Sequence, residues 1–164
     1  MLSNTERGRA FQNVCRHALE QVVGREFDLE VPFDLGGIRP HSFDLASRER
    51  DIIAECKAFS FTATGNNPSA KITTLREAAM YLRSIKGDVT RVLMLKHDPH
   101  PKRGETLGHY FVRLNAHHLG PVVVLELPES GGTLDCIYGR LDARMTPKLK
   151  ADAPLHCTEA RRMG

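Results

Sequence analysis

The chain has 164 residues, a length that suits one domain around a single core. Hydrophobic residues make up 41% and charged residues 26%, an ordinary soluble globular balance, and a net charge of +3 permits nucleic-acid binding without arguing for it. No apolar run approaches the ~20 residues of a membrane span, and the opening "MLSNTERGRAFQ" lacks the apolar segment of a signal peptide, so a cytoplasmic protein is expected.

Residues 3–24 carry the clearest helical pattern. Ser3 or Asn4 can cap it, Glu6 lies in the first turn, and Gly24 can end it. Phe11, Val14, Cys15, Ala18, Leu19, Val22 and Val23 follow the i, i+3, i+4, i+7 rule. Three strand-like pieces follow at 27–33, 41–46 and 51–61, separated by short turns, which predicts an antiparallel meander. A second helix is expected over 70–85, with Ile72, Leu75, Ala78, Ala79 and Leu82 on one face, then a buried strand over 90–98. Residues 105–119 look helical despite Gly108, and "PVVVLELPES" and "TLDCIYGRL" read as strands joined by a Gly-Gly turn. The order α-β-β-β-α-β, with further elements after it, predicts one α+β domain over 1–142 with a mixed central sheet flanked by helices. The tail, 143–164, has little apolar content and reads as extended or partly disordered. The four cysteines are scattered without a C-x-x-C pair, which favours core thiols over disulfides.

The third strand raises a chemical question. Glu55 and Lys57 sit two apart in an otherwise apolar run, so they project from one face. If "SRER" (47–50) is a four-residue loop, Ala46 faces Asp51, Asp44 faces Ile53, and Asp44 shares that face with Glu55. The two acids are then diagonal neighbours, roughly 7–8 Å apart at Cα. Such a pair can share a divalent cation through oxygen ligands, and Mg²⁺ suits a site with few carboxylates. Phosphodiester hydrolysis needs charge neutralisation at phosphorus and a deprotonated water, which a cation on Asp44 and Glu55 would serve, with Lys57 orienting the water. The plainer reading is a solvated strand face, because a D/E-x-K tripeptide turns up about once by chance in such a chain.

Asp44, followed by "ECK" (Glu55, Cys56, Lys57) on the next strand within an α-β-β-β-α-β order, resembles the PD-(D/E)XK nuclease superfamily. The similarity covers roughly residues 4–98 and is one of pattern and order. "GRAFQNV" (8–14) also resembles the family's first-helix motif, with Gln12 where an acid is common; Phe43 stands where proline often precedes the first acid. The resemblance implies a restriction-endonuclease-like fold and Mg²⁺- or Mn²⁺-dependent cleavage of DNA. Asp44, Glu55 and the main-chain carbonyl of Cys56 would hold the metal, Lys57 would assist water and phosphate, and Gln12 could offer its amide oxygen. Lys71, with Ser69 and Arg76 behind it, is the expected polar contact of the following helix. Arg39, Arg48, Arg50 and Lys71 would meet the DNA backbone, and a homodimer could cut both strands. The alternative is a catalytically inactive nucleic-acid-binding or assembly module that keeps the fold.

A rival site lies among the eight histidines, where "KHDPHPKRG" brings together His97, Asp98 and His100, and "NAHHLG" adds His117 and His118. A zinc hydrolase needs three convergent ligands, and no H-E-x-x-H occurs. His41, just before Asp44, reads as a turn histidine at the mouth of the site. No phosphate-cradling glycine loop, no G-x-S-x-G elbow and no basic-aromatic platform is present.

Overall fold

The structure is a computed structural model, and it describes residues 1–145. Three helices and six strands run in the order α1 (Asn4–Val23), β1 (Phe27–Phe33), β2 (His41–Ser47), β3 (Ile52–Lys57), α2 (Ser69–Ser84), β4 (Thr90–Lys96), α3 (Leu107–Leu119), β5 (Val122–Leu127) and β6 (Asp135–Tyr138). All six strands form one open mixed sheet in sequence order. The first three are antiparallel as expected, β3, β4 and β5 are parallel, and β6 returns antiparallel to β5. The architecture is therefore mixed α/β, as the element order implied.

Local chemistry explains the ends of α1. Ser3 and Glu6 form a capping box, and Gly24 closes the helix in the left-handed region at φ 74. The apolar arc of α1 packs on one sheet face, where Phe11, Cys15 and Leu19 meet Leu45, Ile52, Ala54, Val92 and Met94. On the other face, α2 and α3 bring Ile72, Leu75, Leu82, Phe111 and Leu119 against Ile53, Leu93, Val122 and Val124. Strands covered on both faces read as continuous apolar runs, which is why "RVLML" and "VVVL" show no alternation. Cys15, Cys56 and Cys136 are buried; Cys157 lies outside the described residues.

Two departures from the expected hairpin geometry shape the site. Ala46 pairs with Ile53 and Leu45 with Ala54, two residues on from the expected register. The connection is longer because the Ser47 hydroxyl accepts from Asp51 N–H and Ile52 N–H, and Arg50 turns the chain at φ 59. A shift of two preserves parity, so Asp44 lies directly opposite Glu55 rather than diagonal to it.

The second departure is a bend. Leu29↔Leu45 and Val31↔Phe43 keep one register, but the pair between them is interrupted where Glu30 adopts φ 53. Before the bend Phe27 and Leu45 pack under α1, and after it Val31, Phe33 and Phe43 pack on the α2 side. The hairpin thus curls over the sheet, and Glu30 and Asp44 mark the crease.

No described helix is long and apolar enough to cross a membrane. Asp142–Met145 form a turn that buries Met145, while the rest of the expected tail, 146–164, lies outside the described residues.

Candidate active site

At the crease β2 and β3 stop pairing, and the Asp44 side chain takes over the missing ladder contact. Its Oδ2 accepts from the Cys56 N–H at 2.7 Å. Glu55, only 4% exposed, receives two donors: the Lys57 ammonium lies 3.0 Å from Oε2, and His41 Nε2 lies 2.9 Å from Oε1. Lys57 Nζ is also 3.6 Å from Asp44 Oδ2, so one ammonium bridges both acids. His41 is held in place by stacking on Tyr81 of α2, with ring centroids 3.9 Å apart and planes 13° from parallel.

The electrostatics follow from this crowding. Burial, then the Glu55 charge, pushes the Asp44 carboxyl up to about 6, against the opposing pull of Lys57 and the Cys56 N–H. Burial alone would lower Lys57, but the Glu55 and Asp44 carboxylates outweigh it and hold the ammonium above its usual range. Burial also pushes the Cys56 thiol well up, and Cys15 beside it adds to the effect. That thiol points into the α1-side core, away from the acids. In a strand, a residue's N–H and C=O point to the same neighbour, so the Cys56 carbonyl faces the Asp44 side.

Asp44, Cys56 and Lys57 open onto a cleft of about 610 Å³, lined also by Arg7, Arg9 and Gln12 from α1 and by Lys71 from α2. Glu55 lines a smaller recess on the α2 side with His41 and Tyr81, and Lys57 borders both spaces. Gln12 is buried at 7% exposure, and its Nε2 donates to Glu30 Oε1 at 2.8 Å and to the Asp44 carbonyl at 3.0 Å. Lys71 Nζ donates to the Ser60 carbonyl at 2.9 Å within the cleft.

Several expected contacts are elsewhere. Arg48 pairs with Glu26 and Asp28 at the β2–β3 turn, and Arg50 lies 4.3 Å from the Phe33 ring with its guanidinium on the Pro32 carbonyl. Both sit at the strand ends away from Asp44, because the loop that carries them joins the far ends of β2 and β3. Arg39 lies in the exposed β1–β2 loop, and Ser69 is exposed at the start of α2; neither lines the cleft. Arg76 is held by Asn115 of α3 at 2.6 Å. In their place the cleft offers Arg7 and Arg9, which make no ion pair among the described residues. The sequence reading did not single out these arginines or Glu30, though "ERGR" beside the first-helix motif was a usable signal. His41, read as a turn histidine, instead opens β2 and bonds Glu55.

Among the described residues no three His, Cys, Asp or Glu side chains gather as a metal-holding group. A cation at the crease would rest on two carboxylates and neutral oxygens, a hard-oxygen set that suits Mg²⁺ or Mn²⁺ rather than zinc. Asp44 and Glu55 already share the Lys57 ammonium. The other histidines are occupied separately: His100 bonds the Gly65 carbonyl and two loop N–H groups, and His97 lies 3.3 Å from buried Glu126. His117 and His118 end α3. The chain matches no protein-family model, no curated protein and no solved structure.

Proposed function

We propose that the chain is a divalent-metal-dependent nuclease of restriction-endonuclease-like fold that hydrolyses DNA phosphodiester bonds. The observation that carries this reading is the buried Asp44–Glu55 pair, bridged by Lys57 at the fork of β2 and β3 beside a cleft edged with Arg7 and Arg9, which make no ion pair among the described residues. Asp44, Glu55 and the Cys56 carbonyl would hold Mg²⁺ or Mn²⁺, which when bound supplies charge neutralisation at phosphorus and a more acidic water. Lys57, kept protonated by its two acids, donates hydrogen bonds to a phosphate oxygen and stabilises developing charge; it is not a base. Arg7, Arg9 and Lys71 hold the backbone in the cleft.

One observation favours the second reading, a catalytically inactive binding or assembly module. Both Glu55 oxygens are already engaged, by His41 and by Lys57, as in a closed structural ion pair.

Nicking of supercoiled plasmid in Mn²⁺, Mg²⁺ and EDTA separates the two. Metal-dependent nicking is expected, with Lys57→Ala, shown to be folded, losing roughly 100-fold or more. Failure of the wild type to cut plasmid, single-stranded and branched DNA would leave the binding module.

A further inference from the structure

We infer that Glu30 is a positioning residue of this site, which aims the Gln12 amide oxygen into the cleft as a neutral donor for the divalent cation. The inference rests on the nuclease reading. Glu30 lies in β1 at the crease, 18 positions from Gln12, and its left-handed backbone turns the side chain toward α1. Gln12 Nε2 is surrounded by acceptors alone: Glu30 Oε1 at 2.8 Å, the Asp44 carbonyl at 3.0 Å and Asp44 Oδ1 at 3.4 Å. An amide presents two donors on nitrogen and lone pairs on oxygen, so three acceptors on one side fix which end faces them. Gln12 Oε1 must point the other way.

Gln12 Oε1 makes no hydrogen bond among the described residues, although the residue is more than nine-tenths buried. No buried side-chain nitrogen or oxygen among those residues lacks a partner, so Oε1 sits at the surface of the cleft that Gln12, Glu30 and Asp44 line together. The charges explain why an amide serves here. A carboxylate at position 12 would meet Glu30 and Asp44 with no donor between them. The amide separates those two acids with its NH₂ group and still offers an oxygen. Remove Glu30, and the remaining Asp44 contacts hold the amide less firmly.

The test is calorimetric titration of Mn²⁺ alone into the DNA-free protein, beside plasmid nicking and thermal melting. Glu30→Gly keeps the φ of 53 comfortable and removes the carboxylate. It is expected to weaken Mn²⁺ binding by about 10-fold, the scale of a lost outer-sphere partner, without lowering Tm. Glu30→Gln retains an acceptor for the Gln12 amide and is expected to bind as the wild type does. Gln12→Ala is expected to lose at least as much as Glu30→Gly, with no further loss in the double variant, because both changes remove one donor. Unchanged Mn²⁺ binding in Glu30→Gly, losses that multiply in the double variant, or failure of Glu30→Gln to rescue would overturn the inference and leave the nuclease reading standing. A wild type that neither takes up Mn²⁺ nor cuts would remove both, and that outcome is read before any variant is made.

Discussion

Asp44 and Glu55 share a buried corner of the sheet, and both cannot ionise there without cost. The sign of the pH effect follows from Asp44, whose folded-state value of about 6 lies above its ordinary 3.8. Between those values the folded chain binds the proton more tightly than the unfolded chain. Stability therefore falls as pH rises from about 4 to about 6, then stays lower by at most about 3 kcal/mol. Asp44→Asn keeps an acceptor for the Cys56 N–H and removes the repulsion. In EDTA it is expected to be more stable than the wild type at pH 7, with the advantage gone at pH 4. Denaturant unfolding at both values checks this; an equal difference at both would mean that no raised carboxyl exists. A site that is more stable when disarmed is what catalytic acids held together by the fold should show.

At the scale of the element, α3 shows how packing overrides propensity. Its N-terminus docks on Glu126 of β5, which is 1% exposed, and the Thr106 hydroxyl donates to Glu126 Oε1 at 2.6 Å. A Cβ on Gly108 would lie 2.2 Å from the same oxygen and 2.8 Å from Ile137 Cδ1. Helix propensity alone says that Gly108→Ala should stabilise by about 1 kcal/mol. The contact reverses the sign, because a buried, hydrogen-bonded carboxylate has nowhere to go, and a net loss of about 1–3 kcal/mol is expected. Thermal melts decide, and a higher Tm would show that the helix can shift off Glu126. The glycine that interrupts the helical pattern in the sequence is thus the residue that lets the helix approach. The β1–β2 hairpin makes the same point: its bend at Glu30 follows from packing Val31, Phe33 and Phe43 on the α2 side.

For the whole molecule, the distribution of charge matters more than its sum. At the end of the sheet remote from Asp44, Arg25 pairs with Glu49 and Asp51, Arg48 with Glu26, and Arg144 with Asp51, Asp88 and Asp142. Three arginines there face five acids, so that end is locally negative and the net charge of +3 is carried elsewhere, including the cleft, where Arg7, Arg9 and Lys71 have no acidic partner among the described residues. DNA affinity is expected to fall with salt, and Arg7→Ala and Arg9→Ala should each reduce the log–log slope by about 1. Arg48→Ala and Arg50→Ala should leave the slope unchanged. Fluorescence anisotropy across a salt series measures it, and the opposite pattern would place the nucleic acid at the far turn.

What the chain alone determined is what short-range chemistry controls. The start of α1, read as capped by Ser3 or Asn4 with Glu6 in the first turn, the element order and the shared face of Glu55 and Lys57 depend on neighbours a few positions apart and were legible; that Ser3 and Glu6 close a capping box came from the structure. The Asp44–Glu55 pairing was legible only in parity; its register was two residues off, because nothing in "SRER" announces that the Ser47 hydroxyl lengthens the turn. Contacts across many positions were decided by the tertiary structure. Whether Arg7 or Arg48 edges the cleft depends on which end of the sheet a loop joins. Whether Gln12 is a boundary residue or a buried one held by Glu30, and whether His41 idles in a turn or grips Glu55, depends on the crease in the hairpin. That crease is fixed by apolar residues packing on two different helical layers, an interaction that no local pattern along the chain can express.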